Sequence, residues 1–317
     1  MDFVNTFKWK DRENGILETV MKPDPRRYDW VEDEGHRYLY DRYDEIFFPE
    51  EMVAKRLLEL SAGPIGFQPP TIRYAPTYVR DRLDQIRRRL AESPSCDQPQ
   101  PPSDKSEEFL EALSDHELGF AILAIDLVGS TKLITQLPSS VYSRIIDTLL
   151  YECSHVVPQF RGHVLKYTGD GLIAYFPEPS FIIMNDLAID CAMTLHGLVY
   201  AAINPCLTEI GLPTIDVRLG LDSGQATVKV LGSGQTKRHA DVIGAAISLA
   251  SKVQSIARPS GVCMGETLNR NLHVMWREIC EPQSTPGDWP YSGSDGQPYM
   301  VFRVQEAALN ENVQSMM

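Results

Sequence analysis

The segment FAILAIDLVGST, residues 120–131, opens as an apolar run and closes as a loop of small residues, with a single acid, Asp126, at the junction. A short, almost unbroken apolar run is the pattern of a central strand covered on both faces. Beyond Asp126 the loop offers Gly129, Ser130 and Thr131, and the backbone N–H groups of such a tight turn can cradle phosphate oxygens. A second acid stands in HVLKYTGDGLIAYF, residues 163–176, where two strand-like runs flank Gly169, Asp170 and Gly171, a hairpin signal. Asp126 and Asp170 converge if the first strand of that hairpin lies beside the central strand. Together they would supply the hard oxygen ligands that Mg2+ or Mn2+ prefers. Taken singly, an Asp at a strand end also reads as a helix cap, and Asp-Gly in a hairpin as a turn-forming pair.

Helix and strand patterns alternate around this pair. Residues 141–160 read as an amphipathic helix, residues 185–203 as a long helical stretch, and IDVRLGLDSGQATVKVLG (215–232) as a strand pair. Helix GAAISLASKVQSIA (244–257), strand GVCMG (261–265) and a last strand near YMVFRVQ (299–305) follow. This order, with antiparallel hairpins, predicts an α+β fold of ferredoxin-like character, an antiparallel-rich sheet with packed helices.

Upstream, ESPSCDQPQPPSDKSE (92–107) is rich in Pro, Ser and acid and has no hydrophobic period, the composition of a solvated linker. The chain therefore reads as an N-terminal segment (1–91), a linker (92–115), a catalytic domain (116–305) and a tail (306–317). The N-terminal segment is expected to be mainly helical. In YVRDRLDQIRRRL (78–90), Val79, Leu83, Ile86 and Leu90 share one helix face with arginines opposite, which fits either a coupling or dimer-supporting helix or a plain surface helix. Residues 1–71 carry no ligand-binding signature.

Composition sets outer limits. The 317 residues exceed a typical domain of about 100 to 200, so one main domain plus an extra segment is expected. With 43% hydrophobic and 23% charged residues the chain can bury a sizeable core. A formal net charge of −13 argues against general nucleic-acid binding, so a phosphate-bearing ligand must meet locally gathered cations or metal ions. Six scattered cysteines without a C-x-x-C pair read as free thiols in a reducing compartment. No apolar run reaches the roughly 18 residues of a membrane span, and the first residues lack a signal-peptide core, so a cytoplasmic protein without membrane insertion is expected.

Three blocks, in this order, resemble the class III nucleotidyl cyclases over about residues 120–272. FAILAIDLVGST looks like the family's first metal strand and phosphate loop. VLKYTGDGLIAYF is similar to its Lys-x-x-Gly-Asp hairpin, which implies Asp170 as second metal ligand and Lys166 at a base-selecting position. VRLGLDSGQATV followed by DVIGAAISLASK looks like its strand-to-helix block, which implies Asp241 at the other base-contacting position. The chain departs from the pattern at two places. Ser248 stands where many members have Asn, and Lys252 where they have a phosphate-binding Arg, a point charge without the planar fork. Read without the family, Lys252 is equally a solvated helix lysine and Ser248 a small packing residue.

The resemblance implies two Mg2+ or Mn2+ ions per site and a homodimer whose sites form at the interface. Asp126 and Asp170 of one subunit would face Lys166, Asp241, Ser248 and Lys252 of the other. It also implies attack of the ribose 3′-hydroxyl on the α-phosphate, giving a 3′,5′-cyclic nucleotide and pyrophosphate. Lys166 can only donate and ionised Asp241 only accept hydrogen bonds, and adenine, guanine, cytosine and uracil each present a neighbouring acceptor and donor, so pocket size must choose. Tyr167 is bulky enough to favour a one-ring base, though strand alternation turns it to the face opposite Lys166. The sequence is most similar to bacterial pyrimidine cyclases of antiphage signalling (Pycsar type), which implies UTP as substrate, cyclic UMP as product and a separate effector. An adenylate cyclase, a degenerate nucleotide-binding module and another ferredoxin-like two-metal enzyme are the rivals; a Gly-Gly-Asp/Glu-Glu-Phe loop for dinucleotide cyclisation is absent.

Overall fold

The computed structural model describes residues 1–11, 16–62, 71–72, 74–91, 104–177, 181–232, 238–287, 289–293 and 296–317. Contacts divide the chain into two units, Met1–Gln68 with His273–Met275, and Pro69–Leu272 with Trp276–Met317.

In the smaller unit, β1 (Phe3–Asp11) and β2 (Ile16–Pro23) form a hairpin, and β3 (Tyr28–Asp33), β4 (His36–Asp41) and β5 (Ile46–Pro49) an antiparallel meander, followed by α1 (Glu50–Ala62). The expectation of a mainly helical N-terminal segment is corrected here: among the described residues, every regular element up to Pro49 is a strand. YDWVED and HRYLYD carry the period-two alternation of strands. Between them Glu34 and Gly35 both take positive φ, 48° and 81°, the backbone a two-residue hairpin turn demands. Tyr28, Leu39 and Val53 are the small core of this unit. Beside it the buried Arg27 is ringed by Asp2, Asp41 and Asp44 at 3.2, 2.7 and 2.7 Å.

The larger unit contains α2 (Ala75–Ala91), α3 (Asp104–Ala112), β6 (Glu117–Leu127), α4 (Ser130–Gln136), α5 (Ser139–Gln159), β7 (His163–Tyr167), β8 (Gly171–Pro177), α6 (Phe181–Leu198), a π-helical turn (Val199–Ile203) and α7 (Asn204–Glu209). It continues through β9 (Val217–Leu231), β10 (His239–Ile243), α8 (Ala245–Ile256), β11 (Val262–Gly265), α9 (Glu266–Arg270), α10 (Val274–Arg277), whose first two residues are counted with the smaller unit, β12 (Cys280–Gln283), β13 (Val301–Val304) and α11 (Glu306–Met316). Its sheet has the order β12-β13-β11-β9-β6-β8-β7, with β10 also on β9. Among the described residues, only β11 and β9 run parallel. The mixed architecture with an antiparallel-rich sheet is therefore as expected.

The apolar run of residues 120–127 lies in β6 at the middle of this sheet. Alternate residues feed opposite cores: Ala121, Leu123, Ile125 and Leu127 join the one covered by α2, α5 and α6, while Phe120, Ile122 and Ala124 join the one covered by α3 and α8. This is why the sequence there shows no polar face. Two strand details differ from the reading. The hairpin packs on β6 through its second strand, β8, and not its first. Residues 217–231 form one strand without a turn at Asp222-Ser223-Gly224, because Asp222 spends its side chain on Tyr299 and the Ser223 N–H instead of on a local turn.

The 78–90 periodicity belongs to α2, which buries Val79, Ile86 and Leu90 in the main core and Arg82 against Glu152 of α5, two bonds of 2.8 Å. It is an integral core helix and not a plain surface one. Residues 92–103 of the expected linker lie outside the described residues, and Asp104–Ala112 within it is helical. The segment read as a tail forms α11, which buries Leu309 and Met316. Met184–Glu209 is long and apolar enough to cross a membrane by length and composition, but 78% of its apolar window is buried inside the fold, as in a core helix. Five cysteines (Cys153, Cys191, Cys206, Cys263 and Cys280) are free; Cys96 lies outside the described residues.

Candidate active site

Asp126 is the penultimate residue of β6, paired across to Gly171 on one side and to Arg218 of β9 on the other. Asp170 precedes Gly171 in the hairpin turn. A Cβ at position 171 would overlap the Ile125 carbonyl and crowd the Asp126 Cα, so glycine is what lets the turn close directly on β6. The result brings the Asp170 carboxyl within hydrogen-bonding reach of Asp126. Burial, then the Asp170 charge and that hydrogen bond, push the Asp126 carboxyl up to about 6. A like-charged neighbour disfavours the ionised form in this way.

Two residues that sequence reasoning passed over face the same acids. The Arg218 guanidinium opposes the rise of Asp126, and its Nε is buried with no hydrogen-bond partner among the described residues. Tyr142 of α5 is held above the usual phenol range by burial and then by the charges of Asp170 and Asp126. A signal for Arg218 existed: in VRLGLD it is a charge inside an otherwise apolar strand. Nothing local marked Tyr142.

The loop after Asp126 makes the tight turn expected of it. Gly129 takes φ 68° and ψ 28° and precedes α4, with Ser130 half-buried and Thr131 exposed in the first turn. Val128 N–H is tied to the Asp216 carbonyl at 2.8 Å.

A second pair joins two strands of the same sheet that are not paired with each other. Lys166 of β7 donates from Nζ to Oδ2 of Asp241 in β10 at 2.7 Å, while Asp241 Oδ1 accepts the Val242 N–H at 2.9 Å. Lys166 stays 44% exposed and Asp241 only 16%, so the open side of the pair is the lysine side. Lys166 lies opposite Ile173 and Tyr167 opposite Leu172, residues of different cores, so Tyr167 does project to the other face, where it is solvent-exposed and not core.

Ser248 and Lys252 sit one turn apart on α8, both exposed. A Cβ at Gly220 would overlap the Ala250 carbonyl and Gln254 N, so that glycine lets α8 lie flat on β9 and turn this face outward. The single chain thus assembles the two acids with Arg218 and Tyr142, separately pairs Lys166 with Asp241, and leaves Ser248 and Lys252 facing solvent.

Residues 116–285 match the family described as adenylate and guanylate cyclase catalytic domain. Among known proteins, a cytidylate cyclase of Escherichia coli is 24% identical over 229 residues, 69% of this chain and 47% of that protein. An adenylate cyclase of Anabaena cylindrica is 25% identical over 160 residues, 48% of this chain and 30% of that one. The chain spans less than half the length of these relatives. Among solved structures, the adenylyl cyclase CyaB of P. aeruginosa superposes with a TM-score of 0.53 at 17% identity, covering 60% of this chain and 95% of that one. The guanylyl cyclase Cya2 superposes with a TM-score of 0.51 at 19% identity, over 60% of this chain and 93% of that one.

Proposed function

Since the chain belongs to the adenylate and guanylate cyclase catalytic domain family, we propose that it is a nucleotidyl cyclase turning a pyrimidine nucleoside triphosphate, UTP first, into the 3′,5′-cyclic nucleotide and pyrophosphate. The observation that carries the reading is the carboxylate pair. Burial first, and then the charge and hydrogen bond of Asp170, keep a proton on Asp126 up to about pH 6, and a cation beside the two acids would favour their ionised forms. Their hard oxygens suit Mg2+ or Mn2+, two ions to a site. No group of three or more His, Cys, Asp or Glu placed to hold a metal ion occurs among the described residues, so phosphate oxygens and water would complete the shell, as is usual for Mg2+. A bound divalent ion supplies charge against the triphosphate and acidifies a coordinated hydroxyl.

The remaining roles fall to the chain's own groups. Arg218, beside the acids with an unused buried Nε, would meet triphosphate oxygens with the Gly129, Ser130 and Thr131 turn. Lys166 would donate to, and Asp241 accept from, the base edge, exchanging their mutual bond for two to the ligand. From a second copy of the chain, this Lys166 and Asp241 pair would come to the base, and the exposed Ser248 and Lys252 to the ribose and the leaving phosphates, making the dimer a condition of activity. The product would act as a second messenger in antiphage defence, read by a separate effector.

The pyrimidine assignment draws on the E. coli relative, whose likeness covers 69% of the chain against 48% for the Anabaena adenylate cyclase. CTP is the second reading, because that relative is named a cytidylate cyclase. Incubating the full chain with each of the four nucleoside triphosphates and Mn2+ tests both: cyclic UMP is expected, cyclic CMP would move the assignment to the second reading, and cyclic AMP alone would discard the pyrimidine claim. No product from any of the four would leave a nucleotide-binding module.

A further inference from the structure

The π-helical turn Val199–Ile203 interrupts an otherwise continuous helix between α6 and α7. Such turns are rare inside α-helices and recur at functional sites. Tyr200 stands in it. The Tyr200 hydroxyl donates to Asp216 Oδ1 at 3.1 Å and accepts the Val217 N–H at 3.2 Å. The Tyr200 ring centroid lies 4.6 Å from that of His196. Both side chains also bond Ser260, a non-glycine residue at φ 60° whose N–H returns to the Val217 carbonyl at 3.0 Å. One phenol therefore holds both the Asp216 side chain and the Val217 N–H, where β9 begins.

What that peptide adjoins gives the grip its meaning. The next residue is Arg218, in register with Asp126, and Val217 is in register with Leu127. The Asp216 carbonyl accepts the Val128 N–H at 2.8 Å, fixing the first residue after β6. The start of β9 is thus tied to residues 126–128 on one side and to Tyr200 on the other. Asp216 itself is exposed, so its carboxylate contributes nothing to the core and serves here only as the phenol's acceptor. A tyrosine that merely filled the helix layer would need none of these bonds to the strand that carries Arg218.

We infer that Tyr200 is a positioning residue of the candidate active site, holding the Arg218 guanidinium where the triphosphate binds. The inference rests on the cyclase reading for its ligand, but not for its test. Inorganic tripolyphosphate with Mg2+ is titrated calorimetrically into the full chain, the Tyr200→Phe variant, the Arg218→Ala variant and the double variant. Loss of one hydrogen-bonded hold should weaken tripolyphosphate binding about five- to tenfold in Tyr200→Phe. In the Arg218→Ala background the same change should have less than about a twofold effect, because residues acting through one another are not additive.

Asp216→Ala should copy Tyr200→Phe, and Asp216→Asn, which keeps an acceptor oxygen, should restore binding. Since Asp216 is exposed, these two variants stay informative should Tyr200→Phe fold poorly. With turnover present, the same split should appear as a raised KM at nearly constant kcat, the mark of an interaction made equally in ground and transition states. Equal losses in the two backgrounds, or unchanged binding in both Tyr200→Phe and Asp216→Ala, would overturn the inference while leaving the cyclase reading intact. Tyr200-dependent tripolyphosphate binding in a chain that cyclises no nucleotide would do the reverse. A parent chain that shows neither would remove both.

Discussion

Two charged pairs carried by one sheet and its turns are built on opposite principles. Asp126 and Asp170 are alike in charge and brought together by a glycine that closes a hairpin on β6; burial, and then Asp170, raise Asp126 to about 6. Lys166 and Asp241 are opposite in charge and satisfy one another at 2.7 Å. The first pair is costly as it stands and improves on receiving a cation; the second is content as it stands and gives up little on exchanging its bond for a ligand. A third pair, Arg82 with Glu152, is opposite in charge and fully buried, and it belongs to the core. Placement and sign, more than residue type, separate binding machinery from scaffold.

Breaking the like-charged pair should produce the largest effect. Asp126→Asn removes one proposed anionic ligand while keeping the side chain's shape, and turnover should fall at least about a thousandfold, measured as cyclic nucleotide formed per folded chain. Thermal unfolding at pH 7 should show no loss of stability, since a repulsive charge has been taken away. Breaking the buried pair should do the converse. Arg82→Ala strands Glu152 without a counter-charge and should cost about 3–5 kcal/mol in denaturant unfolding, with turnover of the folded fraction nearly unchanged.

Breaking the half-exposed pair should fall between these extremes. Lys166→Ala and Asp241→Ala should each lower kcat/KM about ten- to a hundredfold and loosen discrimination among the four bases. Their stability change should stay under about 1 kcal/mol, as for other partly solvated ion pairs. The smallest effect concerns pH. Asp126 has a folded-state pKa above its ordinary value, so its favourable contribution to folding is full below about 4 and is lost as pH rises through about 6. Between those values stability should decline with pH in the parent chain and less so in Asp126→Asn. Mn2+ affinity should run the other way, weakening about tenfold per unit below pH 6 because the ion must displace a proton.

What the sequence made legible follows from how local each signal is. The unbroken apolar run 120–127, the Gly169-Asp170-Gly171 turn and the helix 244–257 are short-range patterns, and each took the expected form. The meeting of Asp126 and Asp170 was anticipated too, although through the wrong strand: periodicity tells which residues share a face but not which strand of a hairpin lies inward. Arg218 and Tyr142 escaped because each reaches the acids through register or packing over long separations. Tyr200 escaped for the same reason, since neither a π-turn nor a bond to residues 216–217 leaves a periodic trace. In the N-terminal segment the aromatic and charged residues masked a period-two alternation whose turn, Glu34-Gly35, was the readable clue. The burial of α2 depended on helices α5 and α6, far along the chain, and its own amphipathic pattern was silent about whether that face met solvent, a partner or the core.

Crystals of the full chain grown with Mn2+ and a nucleoside triphosphate, measured at the manganese absorption edge, address the carboxylate pair directly. Anomalous density within coordination distance of both Asp126 and Asp170 carboxylates, with triphosphate oxygens completing the shell, is the predicted result. Manganese bound elsewhere with those two carboxylates bare, or touching only one of them, would contradict the account.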